Sequence, residues 1–136
     1  MVDDVLVNKV AIIERCLLRI HEEYVGHEEE LENNFSRQDA IILNLLRACE
    51  ASIDAAMHLI RIRRLGVPQQ SREAFILLAD AKLLDPSLSR HLQTMVGFRN
   101  IAVHDYQKMN VEVLRSILDR RLDDFRDFCR ALLQMP

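Results

Sequence analysis

A chain of 136 residues, 49% apolar and 29% charged, can bury one real core but not two, so residues 1–136 read as a single domain. Three glycines, three prolines and no tryptophan leave little room for a β-sandwich's turns or a Gly-rich nucleotide loop, and the chain reads as all-α. A net charge of −3 excludes a protein that coats nucleic acid through many phosphate contacts, though not one with a small cationic pocket.

The first element is predicted from about Asp3 to Glu23. Leu6, Val10, Ile13, Leu17, Ile20 and Tyr24 form one apolar seam spaced 4-3-4-3-4, the pattern of lengthwise helix packing. Gly26 and the run Glu28-Glu29-Glu30 read as a solvated connection with room for one extra helical turn. The second helix is predicted to begin at Ser36, where Ser36-Arg37-Gln38-Asp39 has the form of a capping box. It continues to about Leu65 and stops at Gly66, with Pro68 beyond as a breaker. A shorter helix, capped by Ser71, is expected over about Arg72 to Leu84. Asp85-Pro86 opens the next, with aspartate as N-cap and proline at the first helical position. The last is expected as one helix from Asn110 to about Gln134. Together they predict an antiparallel bundle of about five helices with short connections.

Cys16, Cys49 and Cys129 are odd in number and far apart, and none sits at zinc-ligand spacing. Each falls in an apolar stripe as a small buried hydrophobe, which suits a reducing cytosol. The N-terminal residues lack the pattern of a signal peptide, and no stretch reaches membrane-spanning length, so a cytoplasmic protein with no membrane partner is expected.

Chemistry concentrates where the fourth helix ends. Arg99, His104 and Tyr106 lie within eight residues. Histidine takes or gives a proton near neutrality, and arginine stays charged and clamps phosphate. Arginine also greatly outnumbers lysine along the chain, which suits bidentate phosphate contacts. The pair suffices for metal-free RNA cleavage, in which the ribose 2′-hydroxyl is the internal nucleophile. On residue types alone, an arginine and a histidine at a helix end are more often an N-cap partner or a satisfied polar pair than a catalytic couple, and Tyr106 reads as an amphipathic anchor. Five residues along an α-helix turn a side chain by about 140°, so Arg99 and His104 do not share a face. They converge if the helix is distorted, if it ends near Val103, or if a two-fold axis brings two pairs into one cleft.

The stretch Met95 to Tyr106, containing Arg99-Asn-Ile-Ala-Val-His104-Asp-Tyr106, resembles the Arg-x4-His-x-Tyr signature of HEPN toxins of the HepT type. Ala48 to His58, with its Asp54-x3-His58 spacing, is similar to that family's long second helix, and Pro68 to Leu84 to its next connection and helix. The resemblance implies a HEPN-like two-fold homodimer and a metal-independent endoribonuclease acting on cellular RNA, transfer or messenger. It implies Arg99 and His104 as catalytic residues. It also implies a toxin–antitoxin pair whose minimal nucleotidyltransferase antitoxin transfers AMP from ATP onto Tyr106; the chain itself needs no cofactor. Adenylylation there adds bulk and negative charge that would repel RNA.

The supporting candidates carry two readings each. Asp54 and His58, four apart on one face, are either a hydrogen-bonded pair orienting the site or a surface or interface pair. Glu50, one turn earlier, is placed to line the cleft. Asn100 either contacts phosphate or caps backbone groups, and Asp105 either orients the imidazole or faces solvent. Arg61, Arg63 and Arg64 either settle a helix C-terminus or guide RNA. His21, His27 and His91 read as incidental. Two rivals to the nuclease remain: a non-catalytic module binding a nucleotide or a protein, and a chain serving mainly as the substrate adenylylated by its partner.

Overall fold

The computed structural model describes residues 3–104 and 109–135. Helix α1 (Asp4–Tyr24) is capped by the Asp3 carboxylate, which accepts from the amides of Val5 and Leu6. All six residues of its predicted seam are buried. The chain then turns through Gly26, whose φ of 84° suits a residue without Cβ, and a 3₁₀ turn over Glu28–Glu30. Helix α2 (Phe35–Arg63) returns antiparallel to α1. Ion pairs run the length of this hairpin: Asp3 with His58, Lys9 with Asp54, Glu23 with Arg37.

The boundaries of α2 differ from expectation at both ends. Its N-cap is Asn34, whose side-chain oxygen accepts from the Arg37 amide at 3.0 Å, and Ser36 lies inside the helix. Both residue types cap well, and they stand two apart, so the local pattern does not choose between them. Replacing Asn34 with alanine should therefore cost about 0.5–2 kcal/mol in chemical denaturation. Ser36→Ala should stay within about 0.5 kcal/mol; the reverse ranking would restore the capping box. At the other end Arg64, not Gly66, takes the left-handed conformation (φ 55°), and the Leu65 amide reaches back to the Ile60 carbonyl.

Helix α3 (Ser71–Asp80) ends four residues before the expected Leu84, because Lys82 turns left-handed (φ 62°) and the Leu83 amide returns to the Leu78 carbonyl. Ser71 is its first helical residue, while Gln70 holds the cap position without a side-chain bond. Helix α4 (Pro86–His104) opens as predicted, with the Asp85 carboxylate accepting from the amides of Ser87 and Leu88. The expected single last helix is two: α5 (Val111–Arg120), capped by Asn110, and α6 (Leu122–Gln134). They meet at Arg121 (φ −118°, ψ −3°). The bundle thus has six α-helices among the described residues, not five.

Helix α2 is the central post, packed against α1, α3, α4 and α6. Its side chains are buried on more than one face, and many are small: Ala48, Ala51, Ser52, Ala55 and Ala56 let neighbouring backbones come close. Phe75 of α3 and Phe128 of α6 meet edge to face, ring centroids 5.7 Å apart, beneath it. The Tyr24 hydroxyl donates to Asp119 at 2.6 Å and pins α1 to α5; burial first, then that carboxylate, push its pKa to about 12. All three cysteines are free and buried, as expected, and burial raises the Cys49 thiol to about 12. Among the described residues, no helix is long and apolar enough to cross a membrane.

Candidate active site on the fourth helix

Arg99 lies on the side of α4 that faces α2 and the start of α3. Its Nη2 donates to the Ser71 hydroxyl at 2.9 Å, and its Nε lies 3.5 Å from Glu50 Oε1. That second contact is a charge pairing without hydrogen-bond geometry: the buried Nε–H has no acceptor among the described residues. The side chain is 20% exposed, so the guanidinium is oriented by α2 and α3 while its far edge remains reachable. Ser71 had been expected only as a helix cap; its hydroxyl instead holds the arginine. Glu50 is brought to Arg99.

His104 is exposed and is the last described residue of α4. The helix stays α-helical through it, so neither a distortion nor an end at Val103 turns the two side chains onto one face. Within one chain, Arg99 and His104 point about 140° apart. Asn100 is exposed on the same helix. Tyr106 and Asp105 lie outside the described residues.

Asp54 and His58 do not bond to each other; each is engaged by α1. His58 Nε2 meets the Asp3 carboxylate at 2.9 Å, while Arg61 approaches its Nδ1 at 3.3 Å, and Asp54 meets Lys9 at 3.4 Å. The bond to His58, helped by the Val5 and Leu6 amides, holds the Asp3 carboxyl below the ordinary carboxylate range. An i,i+4 spacing shows that two residues share a face but not which neighbouring helix claims them.

Two groupings near α4 were not foreseen. Arg72 lies directly against the helix at Gly97, where a Cβ would meet its Nη2 at 2.8 Å. A mid-helix glycine costs about 1 kcal/mol relative to alanine, and this close approach is its physical reason. His91, read as incidental, is bonded on both ring nitrogens: Nδ1 lies 3.2 Å from Asp124 Oδ1, and Nε2 3.3 Å from Arg121 Nη1. Since arginine only donates, these contacts set the tautomer in which Nδ1–H donates to Asp124. Burial raises the Asp124 carboxyl above its ordinary range against the pull of His91 and Arg121. Among the described residues, no cluster of three His, Cys, Asp or Glu side chains is arranged to hold a metal.

An all-α bundle displaying an arginine and a histidine at this spacing on its fourth helix matches the HEPN fold. The tri-AMPylated HEPN toxin of Shewanella oneidensis, solved in complex with an MNT antitoxin, superposes with a TM-score of 0.91 at 45% identity, covering 96% of this chain and 97% of that one. A toxin–antitoxin structure with AMP-PNP gives 0.92 at 44% identity, covering 96% and 98%. The mRNA nuclease HepT of Shewanella oneidensis is 46% identical over 126 residues, 93% of this chain and 94% of that protein. The family model described as Ribonuclease HepT-like matches residues 13–132. The chain belongs to the HepT-like ribonuclease family.

Proposed function

We propose that this protein is the toxin of a bacterial toxin–antitoxin pair: a cytoplasmic, metal-independent endoribonuclease that cleaves cellular RNA. The observation that carries the proposal is Arg99, aimed by Ser71 and Glu50, on one helix with an exposed His104 in a chain of this family. The similar mRNA nuclease and the tri-AMPylated toxin bound to its antitoxin support the same reading.

His104 takes the proton of the ribose 2′-hydroxyl, whose oxygen attacks phosphorus. The bond to the 5′ oxygen breaks, and a protonated His104 returns a proton to that leaving oxygen. Arg99 binds the phosphate and offsets charge that grows on it in the transition state. The products are a 2′,3′-cyclic phosphate and a 5′-hydroxyl. Because the two side chains diverge by about 140° on one helix, the working site is assigned to a homodimer, in which Arg99 of one copy faces His104 of the other. A minimal nucleotidyltransferase antitoxin uses ATP to adenylylate Tyr106, and the added bulk and charge close the site to RNA. Glu50 orients Arg99. Asn100 remains a candidate phosphate contact, and Asp54 and His58 brace α1 on α2.

Purified protein should cut RNA in the presence of a chelator and leave cyclic-phosphate ends, while the same sequence with 2′-deoxyribose at the cut positions should resist. Strict dependence on added divalent metal would overturn the mechanism. The alternative, a non-catalytic nucleotide- or protein-binding module, predicts no cleavage under any of these conditions.

A further inference from the structure

Between α4 and α5 lies a cavity of about 620 Å³, within the roughly 300–1,000 Å³ range of small-molecule sites. Its walls are largely apolar, built from Met95, Phe98 and Ile101 of α4 with Met109, Val113 and Ile117 on and before α5. Polar groups converge on it as well: Arg72, Arg121 and His91, with Thr94, Asn110 and Ser116 able to donate or accept. No carboxylate is among the described lining residues. In a chain of net charge −3, a lining whose described residues carry two arginines and no acid is a selective feature.

Two of its cations are held in place. Arg72 lies in the gap left by the missing Cβ of Gly97, so the glycine sets where the guanidinium rests. Arg121 bonds His91, which is anchored in turn by Asp124, and Arg121 is also the joint where α5 gives way to α6. The cavity also lies on the histidine side of α4. Gly97 and His104 are seven residues apart, hence about 20° apart around the axis and about 10 Å along it, whereas Arg99 points elsewhere.

We propose that this cavity is a nucleotide subsite of the ribonuclease: it receives a base flanking the scissile phosphate against its apolar wall, while Arg72 binds a neighbouring backbone phosphate. The inference rests on the nuclease reading for the identity of its ligand as RNA. An apolar wall accommodates the face of any base, and Thr94, Asn110 and Ser116 supply the edge contacts that would prefer one base over another.

The test needs no cleavage. Met95 and Met109 line the cavity, while Met57 and Met135 do not, so ¹³C-methyl methionine labelling reports occupancy directly. Titrating the intact protein with each of the four 5′-mononucleotides should shift the Met95 and Met109 methyls saturably, leave Met57 and Met135 in place, and rank the bases. Arg72→Gln should weaken binding about tenfold, and Arg72→Lys should recover part of the loss. Gly97→Ala, which improves helix propensity and so keeps the fold, should weaken binding by displacing Arg72. The proposal is overturned if only the control methyls shift, if inorganic phosphate gives the same response as a nucleotide, or if Arg72→Gln binds like the parent. It is equally overturned if, at a concentration where the protein is dimeric, adding nucleotide moves neither Met95 nor Met109, because a second copy then fills the cavity. RNA cleavage by the same sample separates the two readings: nucleotide binding without cleavage removes the nuclease, and cleavage without binding removes the subsite.

Discussion

Replacing His104 with alanine should lower the rate of RNA cleavage by about 10²–10⁴-fold, the usual worth of a positioned general acid–base group. The thermal midpoint should barely change, because the side chain is exposed on α4 and surface substitutions of this kind stay within about 0.5 kcal/mol. Induced in cells without the antitoxin, the variant should therefore accumulate normally and fail to arrest growth. Arg99→Ala should also abolish cleavage, but by a different route. It removes the phosphate clamp and leaves Ser71 and Glu50 without the group they hold. Growth arrest that survives in His104→Ala and disappears in Arg99→Ala would place the activity in binding rather than catalysis. Mixing the two variants sharpens the test. If Arg99 of one copy works with His104 of the other, a mixed dimer regains one intact site, and activity returns on mixing two inactive proteins. A site contained within one chain gives no such recovery.

Phe75→Ala should destabilise the fold by about 3–5 kcal/mol, the range for removing a large buried aromatic side chain. Phe75 is 1% exposed and packs edge to face on Phe128, so the substitution opens a cavity where α3 meets α6 and removes an aromatic pair as well. Its carbonyl also accepts from the buried Ser89 hydroxyl of α4 at 2.8 Å, which ties α3 to the helix that carries the site. The effect therefore reaches the chemistry. Ser71 and Arg72 stand at the N-terminal end of the same short helix, so loosening α3 should reduce cleavage even at temperatures where the variant is still folded. Denaturant titration gives the stability and a parallel RNA assay gives the rate; a loss under about 1 kcal/mol would show that the ring is not a keystone of the core.

The seam of α1 and the cap of α4 were legible because each is a local pattern with one good solution. Leu6 to Tyr24 repeat at helical spacing, and Asp85-Pro86 has few uses other than opening a helix. The division of the last helix was not legible. Leu118, Leu122 and Phe125 continue the apolar stripe across Arg121 with no glycine or proline to mark the break. The partners of Asp54 and His58 were not legible for a related reason: Lys9 lies on α1 and Asp3 caps it, and tertiary contact is not written into i,i+4 spacing. At the site, Arg99 and His104 stood out by residue type and spacing. Ser71 looked like a cap, and Arg72 marked only the start of a helix. The one available signal was Gly97, isolated inside an otherwise good helix, and its meaning became clear only once Arg72 was seen lying against it.

The antiparallel run of ion pairs between α1 and α2 also bears on the order in which the chain folds. Those two helices meet within the first 63 residues and share a connection of modest length, so their pairing can start near the turn, at Glu23 and Arg37, and extend toward Asp3 and His58. A nascent chain leaving the ribosome N-terminus first can close this hairpin before α4 has been synthesised. Helix α6, which packs back on α1 across most of the described chain, can dock only after the helices between them have been made. Assembly of the bundle is thus completed only after the helix bearing Arg99 and His104 has emerged.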